Sequence, residues 1–198
     1  MHQMQFPKVL AFVEGSMERM FINLNFHYVT VIPVANGRSW SASAMGRQIS
    51  SFYKAKNFNA DTILVWIDRE SRQETPADLR DQIREDLTTA GAPAERIHIL
   101  VADKMSENII LADECLMRTE LNDPGYVYED EGKNGKHVLS SAFKERGIDY
   151  KETKSGVALL KKCRLAESAK KSPSVAALLE TLTLPCWWLE PRPEEAAN

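Results

Sequence analysis

Residues 62–67 (TILVWI) form an unbroken apolar run that is rich in β-branched side chains. The run is too short for a helix of ordinary length, and it has no polar face to turn toward water. Such a segment fits a strand buried on both faces, which is the position of strands in a parallel sheet covered by helices. Three further apolar runs, 8–13 (KVLAFV), 27–34 (HYVTVIPV) and 97–102 (IHILVA), are of the same kind. Between them lie segments with helical spacing. Ser16 is positioned to cap a helix carrying Met17, Met20 and Phe21, and residues 43–56 place Met45, Ile49, Phe52 and Tyr53 on one face. Thr75-Pro76-Ala77-Asp78 supplies an N-cap, a proline at the first helical position and an acid at the third, and Gly91 ends that helix near Ala90. Ser106 is read as the cap of a continuous helix through Met117. Strand–helix alternation predicts an α/β fold, a Rossmann-like, largely parallel four-stranded sheet flanked by helices.

The chain past residue 121 changes character. Residues 122–136 are rich in turn formers and acids and read as a flexible loop, which bounds a core of 1–121. Residues 137–189 read as a helical C-terminal extension with helices near 138–146, 156–164 and 173–182, and 190–198 as a disordered tail. With 198 residues, 43% hydrophobic and 27% charged, this is a globular composition. The net charge of −3 argues against a protein held to DNA by bulk positive charge. No apolar stretch approaches the roughly 18 residues of a membrane span, and no export signal is evident, so a cytoplasmic protein is expected. The three cysteines lie far apart without a CxxC pair, and the four histidines show no metal-ligand spacing, so free thiols are expected, and His27 and His98, inside strand-like runs, are expected to be core histidines.

Chemistry in an open α/β sheet sits beyond the carboxyl ends of the strands, and three acidic clusters fall there. Glu14 ends the first strand, with Glu18 four residues on. Asp68 and Glu70 end the third, side chains parallel if the extended geometry continues. Glu107 follows the fourth, with Asp113 and Glu114 beyond it. Carboxylates gathered at one edge repel unless neutralised, and Mg²⁺ or Mn²⁺ does this with oxygen ligands while also engaging phosphates.

A strand ending in Glu-Gly with an acid four residues later, then a hydrophobic strand ending in Asp-x-Glu, resembles the Toprim pattern. Most of the chain resembles the compact OLD-type nuclease branch, and a family of small prokaryotic Toprim-like proteins in particular. Glu107-Asn108-Ile109-Ile110-Leu111-Ala112-Asp113 is similar to a phrase of that family with its tryptophan missing, and Asp-x-Glu replaces the commoner Asp-x-Asp. The resemblance implies a Mg²⁺- or Mn²⁺-dependent nuclease. Glu14 would be a metal ligand or general base, Asp68 a ligand, Glu70 a second ligand or a water-mediated contact, and Glu18 and Glu107 ligands of a second ion. The family phrase favours Asp113 for the last cluster. A continuous helix instead puts Glu114 on the face of Glu107. OLD-like enzymes carry a lysine after the acidic core; Lys136, Lys151 and Lys154 are candidates, and Lys151 is preferred. Arg38, Lys154, Lys161 and Lys162 are candidate nucleic-acid contacts. The kinship implies bacterial anti-phage defence, with an ATPase partner on a separate chain because no P-loop is present, and homo-oligomerisation is possible. The alternative is a degenerate Toprim module that binds a partner protein.

Overall fold

The computed structural model describes residues 7–35, 40–56, 59–182, 184 and 186–192. The turn at Asn36-Gly37, Arg38 and the last six residues of the tail lie outside them. Backbone contacts divide the chain into two compact units, Met1–Ile67 with Arg72–Val101, and Asp68–Ser71 with Ala102–Asn198.

The first unit is built on a four-stranded, all-parallel open sheet. Its strands β1 (Val9–Val13), β2 (Val29–Pro33), β3 (Thr62–Asp68) and β4 (Ile97–Ala102) lie in the order β2-β1-β3-β4. Val13 pairs with Pro33 on one side and with Trp66 on the other. The two-residue side-chain period splits the strands cleanly. Leu10, Phe12, Ile63, Val65 and Ile67 pack with Met45 and Ile49 of α2 (Ala42–Lys56) and Leu79, Ile83 and Leu87 of α3 (Pro76–Thr89). Trp66 faces the other way and meets Phe21 of α1 (Ser16–Asn25) edge-on, with ring centroids 6.3 Å apart. Both faces of β1 are thus buried.

Helix α3 starts as its sequence dictates. Thr75 Oγ1 accepts from Asp78 N–H at 3.1 Å, and an Asp78 carboxylate oxygen accepts from Thr75 N–H at 3.1 Å. Its end is a Schellman motif, with Ala92 N–H bonded to Leu87 O, Gly91 N–H to Thr88 O, and Gly91 at φ +96°. The start of α1 differs from expectation: Gly15 is the N-cap, and Ser16 is the first helical residue.

The second unit is helical, with α4 (Glu107–Ala112), α5 (Glu114–Leu121), α6 (Gly135–Glu145), a π turn over Glu152–Gly156, α7 (Val157–Lys162), α8 (Leu165–Ser168) and α9 (Pro173–Leu179). The continuous helix expected over 106–117 is broken, because Asp113 leaves helical geometry at ψ 79° and becomes the N-cap of α5. Helices α6 and α8 pack on α4. Gly135 permits the first contact, since a Cβ there would sit 2.9 Å from the Asn108 backbone nitrogen. The segment 122–134 carries no helix or strand but is tied in at several points. Tyr126 O–H donates to Leu111 O, Asn108 Nδ2 donates to the carbonyls of Glu131 and Lys133, and Glu131 accepts from Ser174 Oγ. Trp188 is buried in this unit, and its carbonyl accepts from Leu165 N–H. No helix among the described residues is long and apolar enough to cross a membrane.

Candidate functional site

In the first unit, Glu14 directly follows β1, and its N–H extends the ladder to Trp66 O at 3.2 Å. Its carboxylate is held by Arg72, whose Nη2 donates to Oε1 at 2.7 Å while Nε donates to Trp40 O at 2.7 Å. The arginine side chain is 4% exposed and that of Glu14 9%. Gly15 explains the Glu-Gly pair. A Cβ there would lie 2.0 Å from Glu18 Oε2, so the absent side chain makes room for the Glu18 carboxylate to fold back over the start of α1. Glu18 is buried at the positive end of that helix, where negative charge is favoured.

In the second unit, Asp68 is the last residue of β3 and its Oδ1 accepts from Ser106 Oγ at 2.6 Å. Ser106 precedes α4 but makes no side-chain cap bond to the helix. The Asp68-x-Glu70 spacing does not give parallel side chains, because Glu70 is left-handed at φ +51°. The cause is the chain's path beside β4: Arg69 N–H bonds Ala102 O and Glu70 N–H bonds Lys104 O, with Lys104 itself at φ +66°. Arg69 also pairs with Asp103. Two non-glycine residues in a sparsely populated region cluster where β3 and β4 end, a location typical of functional sites.

Glu107 opens α4, is buried, and accepts from Tyr150 O–H at 3.3 Å. Asp113 is fully buried. Oδ1 accepts from Leu116 N–H at 3.0 Å, and Oδ2 from Arg164 N–H at 3.0 Å and from Arg192. Glu114 pairs with Arg118 and Lys171. Burial pushes its carboxyl up, but the bond from Tyr128 N–H and those two cations outweigh it and hold the group below its ordinary value. The break at Asp113 also removes the helical-wheel argument that put Glu114 on the face of Glu107.

Among the candidate cations, Lys151 lies 3.4 Å from Asp149 and is well exposed, Lys154 and Lys161 are exposed, and Lys162 pairs with Glu120. Lys136 pairs with Glu152. Arg38 lies outside the described residues. Cys163 is buried against Ser168, and burial, then the nearby Asp113, pushes its thiol far up. Burial lowers the imidazole of His98.

Arg72 and Ser106 contact the candidate carboxylates Glu14 and Asp68, a role the sequence alone did not assign to either. Arg72 carried a signal, since residues 68–72 (DRESR) interleave two arginines with two acids. The donor chemistry of Glu14, Glu18, Asp68 and Glu107 suits a hard divalent cation. Among the described residues, however, no group of three or more His, Cys, Asp or Glu side chains is arranged to hold a metal ion. Arg72 sets a guanidinium counter-charge directly on one of these carboxylates, Glu14. No family model matches this chain, and neither a curated protein nor a solved structure does so.

Proposed function

We propose that the chain is a Mg²⁺- or Mn²⁺-dependent phosphodiesterase of the Toprim type that cleaves nucleic acid. One observation carries this reading. The strand order β2-β1-β3-β4 places a topological switch point between β1 and β3, where open α/β sheets bind their ligands. Glu14 and Asp68 stand at the carboxyl ends of those two strands. In this reading Glu14 and Asp68 hold the ion, and Glu18, Glu70 and Glu107 are the further carboxylates. When bound, the ion supplies charge neutralisation for the scissile phosphate and a water of lowered pKa. Arg72 fixes the rotamer of Glu14, Ser106 fixes Asp68, and Tyr150 orients Glu107. Lys151, Lys154, Lys161 and Lys162 supply positive charge for the backbone of the substrate. The proposed setting is a cytoplasmic anti-phage effector, working with an ATPase on a separate chain.

A second reading is a degenerate module that acts by binding a partner protein. It is favoured by the Arg72–Glu14 pair, because a buried guanidinium already neutralises the first candidate ligand. Titration with Mn²⁺, followed by the loss of free-ion electron paramagnetic resonance signal, separates the two. The catalytic reading predicts one or two bound ions per chain, lost in Asp68→Asn. The degenerate reading predicts wild type and variant to be indistinguishable.

A further inference from the structure

A cavity of about 420 Å³ opens in the first unit, at the amino-terminal end of β3 and β4 and so at the opposite end of the sheet from Glu14. Tyr53 and Lys54 reach it from the last turn of α2. Asn59 and Ala60 come from the approach to β3, Gly91 from the end of α3, and Arg96 from the approach to β4. Its volume lies in the range of small-ligand sites, roughly 300–1,000 Å³.

Charge decides what it accepts. Among the described residues, no Asp or Glu lines the cavity. Arg96 donates through Nη1 to Ala60 O at 2.9 Å and to Asn59 Oδ1 at 3.4 Å, both neutral acceptors. Among the described residues neither Lys54 nor Arg96 is in an ion pair, unlike Arg72 with Glu14 or Lys162 with Glu120. Helix ends are the competing explanation, since carbonyls at a helix C-terminus carry about half a negative charge and attract cations. That accounts for Lys54, in the last turn of α2. It accounts less well for Arg96, because three of the four carbonyls ending α3, those of Asp86, Leu87 and Thr88, already accept from Ala90, Ala92 and Gly91 N–H. One full positive charge on a planar fork suited to phosphate is left over. The half-buried Tyr53 ring and Gly91, which has no side chain, leave room beside it for more than a bare ion.

We propose that this cavity binds a small phosphate-bearing anion, inorganic phosphate or a nucleoside monophosphate, through Lys54 and Arg96. The proposal does not depend on the metal reading, and the test is done in EDTA to keep the two apart. Calorimetric titration of the full chain with adenosine 5′-monophosphate, inorganic phosphate and adenosine is compared across wild type, Lys54→Glu and Arg96→Gln. The expected result is a single site for the monophosphate, undetectable binding of adenosine, and affinity lowered about tenfold in each variant, as when one charge-assisted hydrogen bond is lost. A monophosphate that binds more tightly than phosphate identifies a nucleotide site, and equal affinities identify a free-phosphate site. Lys54 is exposed, so Lys54→Glu leaves the fold intact even if Arg96→Gln perturbs the approach to β4. Binding unchanged in Lys54→Glu, adenosine bound as tightly as the monophosphate, or no binding of either phosphate compound at millimolar concentration overturns the proposal.

Discussion

Asp113→Ala is expected to destabilise the protein by about 3–5 kcal/mol, the loss seen when one partner of a buried charge pair is removed. The Asp113 side chain is 0% exposed and that of Arg192 21%. The substitution strips the N-cap of α5, leaves Arg164 N–H without its acceptor, and releases Arg192. A cap alone is worth about 1 kcal/mol, so most of the loss comes from the part-buried donors of Arg164 and Arg192 that lose their acceptor. In a chain of this size the melting temperature falls by about 10 °C. The sign also separates two roles for this residue. A carboxylate kept for an ion repels its acidic neighbours when no ion is bound, so its removal in EDTA leaves stability unchanged or higher. Thermal melting in EDTA with a large loss assigns Asp113 to the structure; no loss restores it as a candidate ligand.

The Glu14–Arg72 pair gives the second large effect. Both side chains are nearly inaccessible, so Arg72→Met strands a buried carboxylate at a cost of about 3–5 kcal/mol, and Glu14→Gln strands a buried guanidinium. The double variant Glu14→Gln/Arg72→Met is expected to recover most of this, because an ion pair replaced by neutral groups of similar volume is often nearly neutral. Urea unfolding of the four proteins gives the coupling directly. Magnesium adds a discriminating arm. If Glu14 binds the ion, millimolar Mg²⁺ supplies the missing positive charge and raises the melting temperature of Arg72→Met more than that of wild type. An Arg72→Met protein indifferent to Mg²⁺ shows that Glu14 does not bind it.

The sheet was legible because burial on two faces leaves few polar positions, and the runs at 9–13, 62–68 and 97–102 announce themselves. The start of α3 was legible because a capping box is a local device, complete within four residues. What escaped is set by contacts distant in sequence. Nothing between residues 107 and 117 is a glycine or proline, so a continuous helix is the local expectation. The break at Asp113 comes from donors at positions 164 and 192. Glu70 leaves the extended region because its N–H bonds a carbonyl 34 residues away. Of the lysines read as nucleic-acid contacts, Lys162 is paired with Glu120 of the second unit, a contact 42 residues away in sequence. Tyr126, an aromatic inside an acidic stretch, was the visible sign of the contact its hydroxyl makes with Leu111 O. The candidate carboxylates were all visible as strand-end acids. The guanidinium that holds Glu14 and the hydroxyl that holds Asp68 were not.

Metal-dependent phosphodiester cleavage is the central claim, and an assay of the full chain on plasmid DNA, single-stranded DNA and total RNA tests it most directly. Wild type, Glu14→Ala and Asp68→Ala are compared with Mg²⁺, with Mn²⁺ and with EDTA. The account predicts cleavage of at least one substrate by wild type with either ion, none in EDTA, and a loss of about a thousandfold or more in both variants, as when the electrostatic machinery of a site is removed. Cleavage that persists in both folded variants, or in EDTA, contradicts it.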